Sequence, residues 1–297
     1  MDLSDLHFFK TVAEEGGIAR AARRLHRVPS NVTTRVKQLE AAVGAELFVR
    51  ERQRLHLSPN GEMLLDYAKR LLALADEARG ALAGGEPRGV LRLGALESTA
   101  ASRLPALFVD YHRRYPEVRV ELVTGTNDTM LAALAQRRID AAFIADVPAG
   151  REFAHLPLFD ETLVLVSALD HRPVRRAADV AGDTVIAFPH GCAYRRVVER
   201  WLGGDGLAGV RVLELGSYHA IVACAAAGAG VAVVPESVLA TVGSAHVARH
   251  PLPRVLARRT TPLVWRAAQP GPALLRLREL AQEQRARHRT AASDSRA

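Results

Sequence analysis

Cysteine is scarce in this chain of 297 residues. The two cysteines, Cys192 and Cys224, have no histidine or second cysteine at the spacing of a zinc site, and they are too few for a disulfide framework. We therefore expect no metal, no cofactor and a reducing compartment.

Long hydrophobic runs are also missing. Leu215–Pro235 has no Asp, Glu, Lys or Arg, but three glycines interrupt it, and its strongly apolar part is about 15 residues, too short for a membrane-spanning helix. The sequence begins Met-Asp-Leu-Ser-Asp, without the basic and apolar segments of a secretory signal. We expect a cytoplasmic protein with no membrane contact.

Acidic residues are absent between Arg20 and Lys37, a segment that holds six basic residues. The chain carries a formal net charge of +8, and its two ends, residues 1–60 and 276–297, hold most of this excess. A basic segment without acids is typical of polyanion binding. The alternative is an ordinary solvated helix face, which usually mixes both signs of charge.

The hydrophobic fraction of 48% is enough for a buried core and excludes a disordered or collagen-like chain. Helical spacing of apolar residues predicts a first helix that ends before Gly16 and a second over Ile18–Leu25. Pro29 suits the first turn of a third helix, and Gly44 suits its end. The short break between the second and third helices predicts a helix-turn-helix.

A β-wing is predicted for Phe48–Leu57, which alternates in polarity. Pro59-Asn60-Gly61 is interpreted as a break before a long helix that runs to about residue 83. Apolar residues of that helix recur at steps of three and four, the heptad pattern of a helix that pairs with a second copy; packing on its own domain is the alternative. The predicted seam is Leu64, Tyr67, Leu71, Leu74, Ala78 and Ala81.

Beyond the linker Gly84-Gly85-Glu86-Pro87, strand-like runs alternate with helical segments. This alternation predicts α/β architecture with mainly parallel strands. The polar end, residues 291–297, is expected to be disordered.

These residues resemble the LysR-type transcriptional regulators over residues 2–285. The motifs near the N-terminus are Ala13-Glu14-Glu15-Gly16, Arg20-Ala21-Ala22, Leu25-His26, Gln38-Leu39-Glu40, Leu47-Phe48 and Leu57-Ser58-Pro59. Those farther along are Leu104-Pro105-Ala106-Leu107, Tyr115-Pro116, Ile139-Asp140-Ala141-Ala142 and Ala227-Gly228-Ala229-Gly230-Val231.

The resemblance implies a winged helix-turn-helix over 1–58, a linker helix and hinge over 59–87, and an effector domain over 88–290. The effector domain would resemble a periplasmic binding protein, with two α/β lobes around a cleft. The implied lobes are 90–161 with 263–287, and 162–262. The family further implies double-stranded DNA, a small-molecule effector and RNA polymerase as partners, a homodimer through the linker helix, a homotetramer, and no catalysis.

Two departures from the family pattern affect DNA recognition. Gly17-Ile18-Ala19 replaces the usual Ser or Thr, so the second helix lacks a side-chain cap, which is worth about 1 kcal/mol. Val28-Pro29 replaces a common Ser-Gln pair, so base reading falls to later residues: Asn31 could pair with adenine, and Arg35 with guanine or phosphate. The predicted DNA-binding residues are Arg20, Arg27, Ser30, Asn31, Thr33, Thr34, Arg35, Lys37, Arg50, Arg52 and Arg54.

Effector contacts are expected where strands end and helices begin, because helix N-termini there offer free N–H groups. We expect an anion or an amino acid, with its carboxylate at Ser98, Thr99 or Arg195 and any ammonium near Glu97. Each position could instead be a plain N-cap. The predicted residues are Glu97, Ser98, Thr99, Thr126, Asn127, Cys192, Tyr194, Arg195, Ser217, Tyr218 and His219.

Two other functions remain open at this point. A redox-sensing regulator of the same family would use Cys192 and Cys224, although Cys224 lies in an apolar run, where thiols are usually inert. An enzyme on a binding-protein fold would need Cys192 with His190 or His219, and no third orienting residue or oxyanion motif accompanies that pair.

Overall fold

The computed structural model describes residues 1–51, 54–82, 86–147, 149–203, 210–243, 246–267 and 270–294. The chain divides into two compact units, Met1–Gly89 and Val90–Ala297. No helix among these described residues is long and apolar enough to cross a membrane.

The N-terminal unit contains the three predicted helices, the wing and the long helix. Its elements are α1 (Leu3–Glu15), α2 (Ile18–Arg24), α3 (Pro29–Val43), β1 (Phe48–Glu51), β2 (Arg54–Leu57) and α4 (Pro59–Leu82). Gly17 at the start of α2 provides no side-chain cap. Gly44 ends α3 in the left-handed region, with φ of 70°, where glycine avoids the Cβ clash. Strands β1 and β2 pair antiparallel, which confirms the wing.

Helix α4 begins earlier than the sequence predicts. Pro59, Asn60 and Gly61 form its first turn, so the predicted break at these residues is wrong. A proline at this position has no helical N–H to lose, and the hydroxyl of Ser58 accepts a hydrogen bond from the Gly61 N–H at 3.0 Å. Gly61 also lies so close to Leu47 that an added Cβ would meet the Leu47 carbonyl oxygen at 2.1 Å.

Two faces of α4 have different environments. Ala68 is fully buried, and Leu64, Leu65 and Leu72 pack against the domain core with it. Leu64 therefore belongs to the core and not to the predicted seam. A second row of apolar side chains remains 39–58% exposed: Met63, Tyr67, Leu71 and Leu74.

The C-terminal unit is built on a sheet of nine strands within its described ranges. The strands are β3 (Gly89–Ala95), β4 (Val118–Thr124), β5 (Ala141–Phe143), β6 (Phe153–Ser167), β7 (Val185–Ala187), β8 (Val212–Glu214), β9 (Val231–Pro235), β10 (Ala248–Pro251) and β11 (Arg258–Arg266). Their order is β4-β3-β5-β11-β6-β9-β7-β8, with β10 also pairing β6. Strands β3 and β5 pair in parallel, as do β7 with β8 and β9, whereas β6 and β11 run antiparallel to their neighbours.

Strand β6 passes from one group of strands to the other. Its first part pairs with β11 from Phe153 to Thr162, and its end pairs with β9 from Leu163 to Val166. Strand β11 pairs with the first part of β6 along its whole length. We call the side with β3, β4, β5 and β11 the first lobe and the side with β7 to β10 the second lobe; β6 and β11 are the connecting strands.

Helices cover both lobes. They are α5 (Glu97–Ser102), α6 (Leu104–Arg114), α7 (Asn127–Ala135), α8 (Ala193–Trp201), α9 (Tyr218–Ala226), α10 (Glu236–Val242), α11 (Arg254–Ala257) and α12 (Pro272–Asp294). Separate buried clusters fill the lobes, one around Leu93 and Phe143 and another around Ile186 and Val234. Helix α12 continues to Asp294, past the residue at which the sequence predicts a disordered tail; residues 295–297 lie outside the described ranges.

Candidate functional site

Helix α3 presents a polar face beside a buried one. Val32, Val36 and Leu39 are buried at helical spacing. The remaining face therefore points away from the domain core. The exposed polar side chains of α3 and the preceding turn include Arg27, Ser30, Asn31, Thr34, Lys37 and Gln38.

Arg35 contacts α1 and keeps 40% of its side chain exposed. Its Nη1 donates to Asp5 Oδ1 at 2.9 Å, and its guanidinium lies 5.9 Å from the centre of the Phe8 ring. These contacts tie α3 to α1, and the guanine or phosphate contact of Arg35 stays a prediction. Thr33 is half-buried, and its hydroxyl donates to the Pro29 carbonyl of the same helix at 2.9 Å.

Arg20 completes the C-terminal end of α1. Its guanidinium donates to the carbonyl oxygens of Glu15 and Gly16, which have no partner within the helix. The predicted DNA contact of Arg20 would have to replace these bonds. The side chains of Arg50 and Arg54, and all of Arg52, lie outside the described residues.

In the C-terminal unit, six side-chain polar atoms are buried without a hydrogen-bond partner among the described residues, and four of them come from three elements of the two lobes and a connecting strand. These four are Glu97 Oε2 and Ser98 Oγ at the start of α5, the Tyr194 hydroxyl in α8, and Thr261 Oγ1 in β11. The Tyr194 hydroxyl approaches the hydroxyls of Ser98 and Thr261 closely enough to influence its ionisation, without the geometry of a completed hydrogen bond. These four residues define the cleft cluster, which both lobes and a connecting strand supply.

Burial controls ionisation in the cleft cluster. It raises the pKa of Glu97, against the smaller opposite effects of the Tyr218 N–H and the charge of His219. That N–H donates to Glu97 Oε1 at 3.4 Å, which brings the openings of α5 and α9 together. Burial also raises the pKa of Tyr194 and Tyr218, so both phenols stay protonated as donors.

Arg195 is held within the second lobe by several partners. It is 6% exposed, its Nε donates to Glu199 at 3.0 Å, and its Nη1 donates to the Phe188 carbonyl at 3.0 Å and to Glu214. Its Nη2 lies 3.2 Å from His190 Nε2. Contrary to the sequence prediction, the guanidinium is fully engaged within the second lobe.

Thr126 and Asn127 have structural roles. Thr126 caps α7 by accepting the Thr129 N–H at 3.3 Å. The Asn127 amide donates to the Asp146 carbonyl at 2.9 Å and accepts the N–H groups of Ala145 and Asp146, both at 3.1 Å. The cap interpretation therefore applies to Thr126, and Asn127 holds the chain that follows β5.

The remaining predicted residues differ in exposure. Thr99 is buried in α5, and Tyr218 is buried with its ring 4.7 Å from that of Phe188. Ser217 is half-buried at the start of α9, and His219 is exposed. Cys192 is buried at the start of α8, where burial raises the pKa of its thiol.

Sequence reasoning missed Arg196, which links the two lobes. Its Nη2 lies 3.0 Å from Asp146 Oδ2 and its Nη1 lies 3.4 Å from Asp128 Oδ1, both in the first lobe. The lobes also approach at Gly191, where an added Cβ would lie 3.0 Å from Thr126 Oγ1. Arg195 and Arg196 are adjacent on α8, and the rotation of the helix about its axis decides which of them faces the first lobe. The spacing of apolar residues in the sequence does not predict that rotation to within one residue.

Glu161 and Thr261 were missed as well, because both lie inside strands and not at helix openings. Glu161 is buried, and its two oxygens accept from Arg103 Nε at 2.6 Å and from the Ser237 hydroxyl at 2.7 Å. These contacts join the end of α5 to the start of α10 across a connecting strand. No group of three or more His, Cys, Asp or Glu side chains in the described part of the chain is arranged to hold a metal.

Comparison with known proteins gives matches along nearly the whole chain. Residues 3–62 match the bacterial regulatory helix-turn-helix proteins of the lysR family, and residues 84–286 match the LysR substrate binding domain. The chain is 36% identical over 268 residues to the uncharacterized HTH-type transcriptional regulator YusT of Bacillus subtilis, covering 90% of each chain. It is 34% identical to the HTH-type transcriptional regulator GltR of the same species, covering 81% of this chain and 82% of GltR.

Solved structures show the same fold. A full-length OxyR variant from Pseudomonas aeruginosa matches with a TM-score of 0.69 and 24% identity, covering 95% of this chain and 94% of that one. Full-length CbnR complexed with its target DNA matches with a TM-score of 0.66 and 26% identity, covering 95% and 99%.

Proposed function

Because the chain belongs to the LysR family of DNA-binding transcriptional regulators, we propose that it reads a two-fold symmetric operator and responds to a small polar effector held between its lobes. The observation that carries the DNA half is the exposed polar face of α3 with Arg27. Helices of this kind enter the major groove and contact base edges. Asn31 offers an amide for adenine, and Lys37 a charge for phosphate.

The exposed apolar row on α4 supports a dimer. Met63, Tyr67, Leu71 and Leu74 repeat at steps of four, four and three on a face that the domain core does not cover. Burying this row against a second copy would place two α3 helices in a two-fold arrangement, which matches an inverted repeat. A tetramer formed from two such dimers, and contact with RNA polymerase, complete the proposed assembly.

The DNA proposal can be tested by selecting duplexes from a random library with the full chain. We expect inverted repeats with half-sites about 10 base pairs, or a multiple, apart. Asn31→Ala should change the preferred base, whereas Lys37→Ala should weaken all sequences alike and reduce the salt slope by about one. Recovery of single half-sites, or of no enriched sequence, would contradict the two-fold proposal.

The cleft cluster supports the effector half of the proposal. Each buried polar group without a partner costs about 1–3 kcal/mol, and four of them converge from both lobes. A polar small molecule that bonds to them would recover this cost and join the lobes. With Arg195 engaged elsewhere, we propose an amino acid or a related small molecule whose ammonium meets Glu97 and whose acceptors meet the hydroxyls.

Thermal shift of the full chain against amino acids, amines and small carboxylates tests this site. We expect a stabilising compound whose effect is lost in Tyr194→Phe and in Ser98→Ala, since each removes one hydroxyl. His219→Ala, at an exposed neighbour, should keep most of the effect. A compound that stabilises all variants equally would place the effector site elsewhere.

The burial of Cys192 argues against its half of the redox alternative, whereas Cys224 is half-buried. Reactive cysteines need thiolate character and access, whereas burial keeps Cys192 in the thiol form. The enzyme alternative is weakened because His190 contacts Arg195 and His219 is exposed. Peroxide treatment should therefore leave DNA affinity unchanged in both the natural chain and Cys192→Ser.

A further inference from the structure

A cavity of about 480 Å³ lies against the connecting strands β6 and β11. We call it the hinge cavity. None of its residues belongs to the cleft cluster, and it has no role in the function proposed so far. Its lining consists of Asp160, Glu161, Thr162, Arg258, Arg259 and Thr260.

Both acidic side chains in the lining are already partnered. Glu161 accepts from Arg103 and from the Ser237 hydroxyl. Asp160 accepts from the Thr260 hydroxyl at 3.1 Å, and its other oxygen lies 3.9 Å from Arg285 Nη2. Cations from outside the lining therefore balance the negative charge of the cavity.

The two arginines in the lining have no such balance. Neither Arg258 nor Arg259 forms an ion pair with a carboxylate within the described ranges. Arg259 donates only through Nη1, to the carbonyls of Val255 at 3.2 Å and Arg258 at 2.9 Å. Its Nε and Nη2 remain, and that edge of a guanidinium binds oxyanions through two parallel hydrogen bonds.

Arg259 is also placed beside another cation. It is half-buried, and burial and the charge of Arg200 both lower its pKa, against smaller opposite effects from Asp146 and Tyr194. A half-buried guanidinium that faces a like charge and lacks a counterion is stabilised by any anion that enters the cavity.

We infer that the hinge cavity binds a small oxyanion, such as inorganic phosphate or a carboxylate, through the Nε and Nη2 edge of Arg259. Arg259 belongs to β11 and lies opposite Glu161 of β6, whose carboxylate is held by Arg103 and Ser237. The anion therefore lies at the pair of strands that connect the lobes. This makes the hinge a second ligand site, lined by residues other than those of the cleft cluster.

Calorimetric titration of the full chain with sodium phosphate at constant ionic strength tests the inference, with sulfate and acetate as further probes. Arg259→Gln should weaken phosphate binding by about tenfold or more, the usual effect of losing a charge-assisted bidentate contact. Arg254→Gln is the matched control, because it removes the same charge from an exposed position on the adjacent α11. It should change the affinity less than about twofold.

Three results would overturn the inference. These are no binding of phosphate, sulfate or acetate at millimolar concentration, an equal loss in both variants, and no loss in Arg259→Gln. The last two would indicate an adventitious ion only.

If Arg259→Gln fails to fold by circular dichroism, the comparison of Arg259→Lys with Arg254→Lys replaces it, because lysine keeps the charge but loses the forked edge. Ser98→Ala should leave phosphate binding unchanged, so failure of the cleft proposal is distinguishable from failure of this one.

Discussion

Neighbouring side chains on α8 show how partners decide the role of a charged residue. Arg195 is enclosed by Glu199, Glu214 and a carbonyl of its own lobe, whereas Arg196 reaches across to the first lobe. Both are arginines near a helix N-terminus, where positive charge suggests an anion site. The structure assigns the first to stability and the second to contact between lobes.

Removing Arg195 should therefore destabilise the effector domain. Arg195→Ala leaves the Phe188 carbonyl and the partly exposed Glu199 without their donor and empties a buried position, which should cost about 1–3 kcal/mol. Arg254→Ala, at an exposed position, should change stability by less than about 0.5 kcal/mol. Urea denaturation followed by circular dichroism measures both. Equal midpoints for the two variants would contradict the buried role of Arg195.

Glu97 should make stability depend on pH. Burial raises the pKa of its carboxyl in the folded chain, so the folded state binds the proton more tightly than the unfolded state. Stability is then lost as the pH rises from the ordinary value of a glutamate, 4.5, through the raised value. Glu97→Gln removes this effect, so it should raise Tm at pH 7.5 and have less effect near pH 4. An equal change at both pH values would contradict this assignment.

At the scale of the element, α4 combines two interfaces in one helix. Its inner face, with Ala68 and Leu72, completes the core of the DNA-binding unit. Its outer face keeps Tyr67 and Leu71 exposed. The heptad pattern in the sequence assigns residues of both faces to one seam, because apolar residues recur at steps of three and four on each face.

Leu71→Asp should separate the dimer without unfolding either unit. The change places a carboxylate in the centre of the exposed row, and an unpaired charge buried between two helices costs several kcal/mol. In one protomer the same side chain is 39% exposed, so the fold should tolerate it. Sedimentation velocity should show monomers and DNA binding should be lost, whereas Leu71→Met should behave as the natural chain. An unchanged oligomer would show that α4 pairs through another face.

At the scale of the whole effector domain, polar contacts join the lobes at several points, and Leu96 packs into the core of the second lobe. Arg196 bridges to Asp146 and Asp128 on one side, and Glu161 joins Arg103 and Ser237 on another. Domain closure of this kind is set by contacts that form in one state only. A ligand that adds contacts in the closed state shifts the population towards it.

Arg196→Gln should shift the domain towards an open state. Amides of residues 145–147 and 192–196 should exchange hydrogen faster, while amides in the centre of the sheet stay unchanged. Arg176→Gln is a suitable control because its ion pair with Asp179 lies within a single turn of the second lobe. Unchanged exchange in Arg196→Gln would show that other contacts hold the lobes together.

Sequence patterns predicted the three helices and the wing before residue 58, the α/β architecture, and the placement of Ser98 and Thr99 at a helix opening, whereas the two lobes followed from the family resemblance. Periodicity, glycine and proline act over a few residues, so their effects can be predicted from the order of the chain. The contact of Arg35 with Asp5, the reach of Arg196 and not Arg195 to the other lobe, and the approach of Tyr194 to Ser98 and Thr261 appear only in the folded structure. These contacts join residues 30 to 96 positions apart in the chain, and packing across the whole domain fixes the rotation of a helix against such a distant partner.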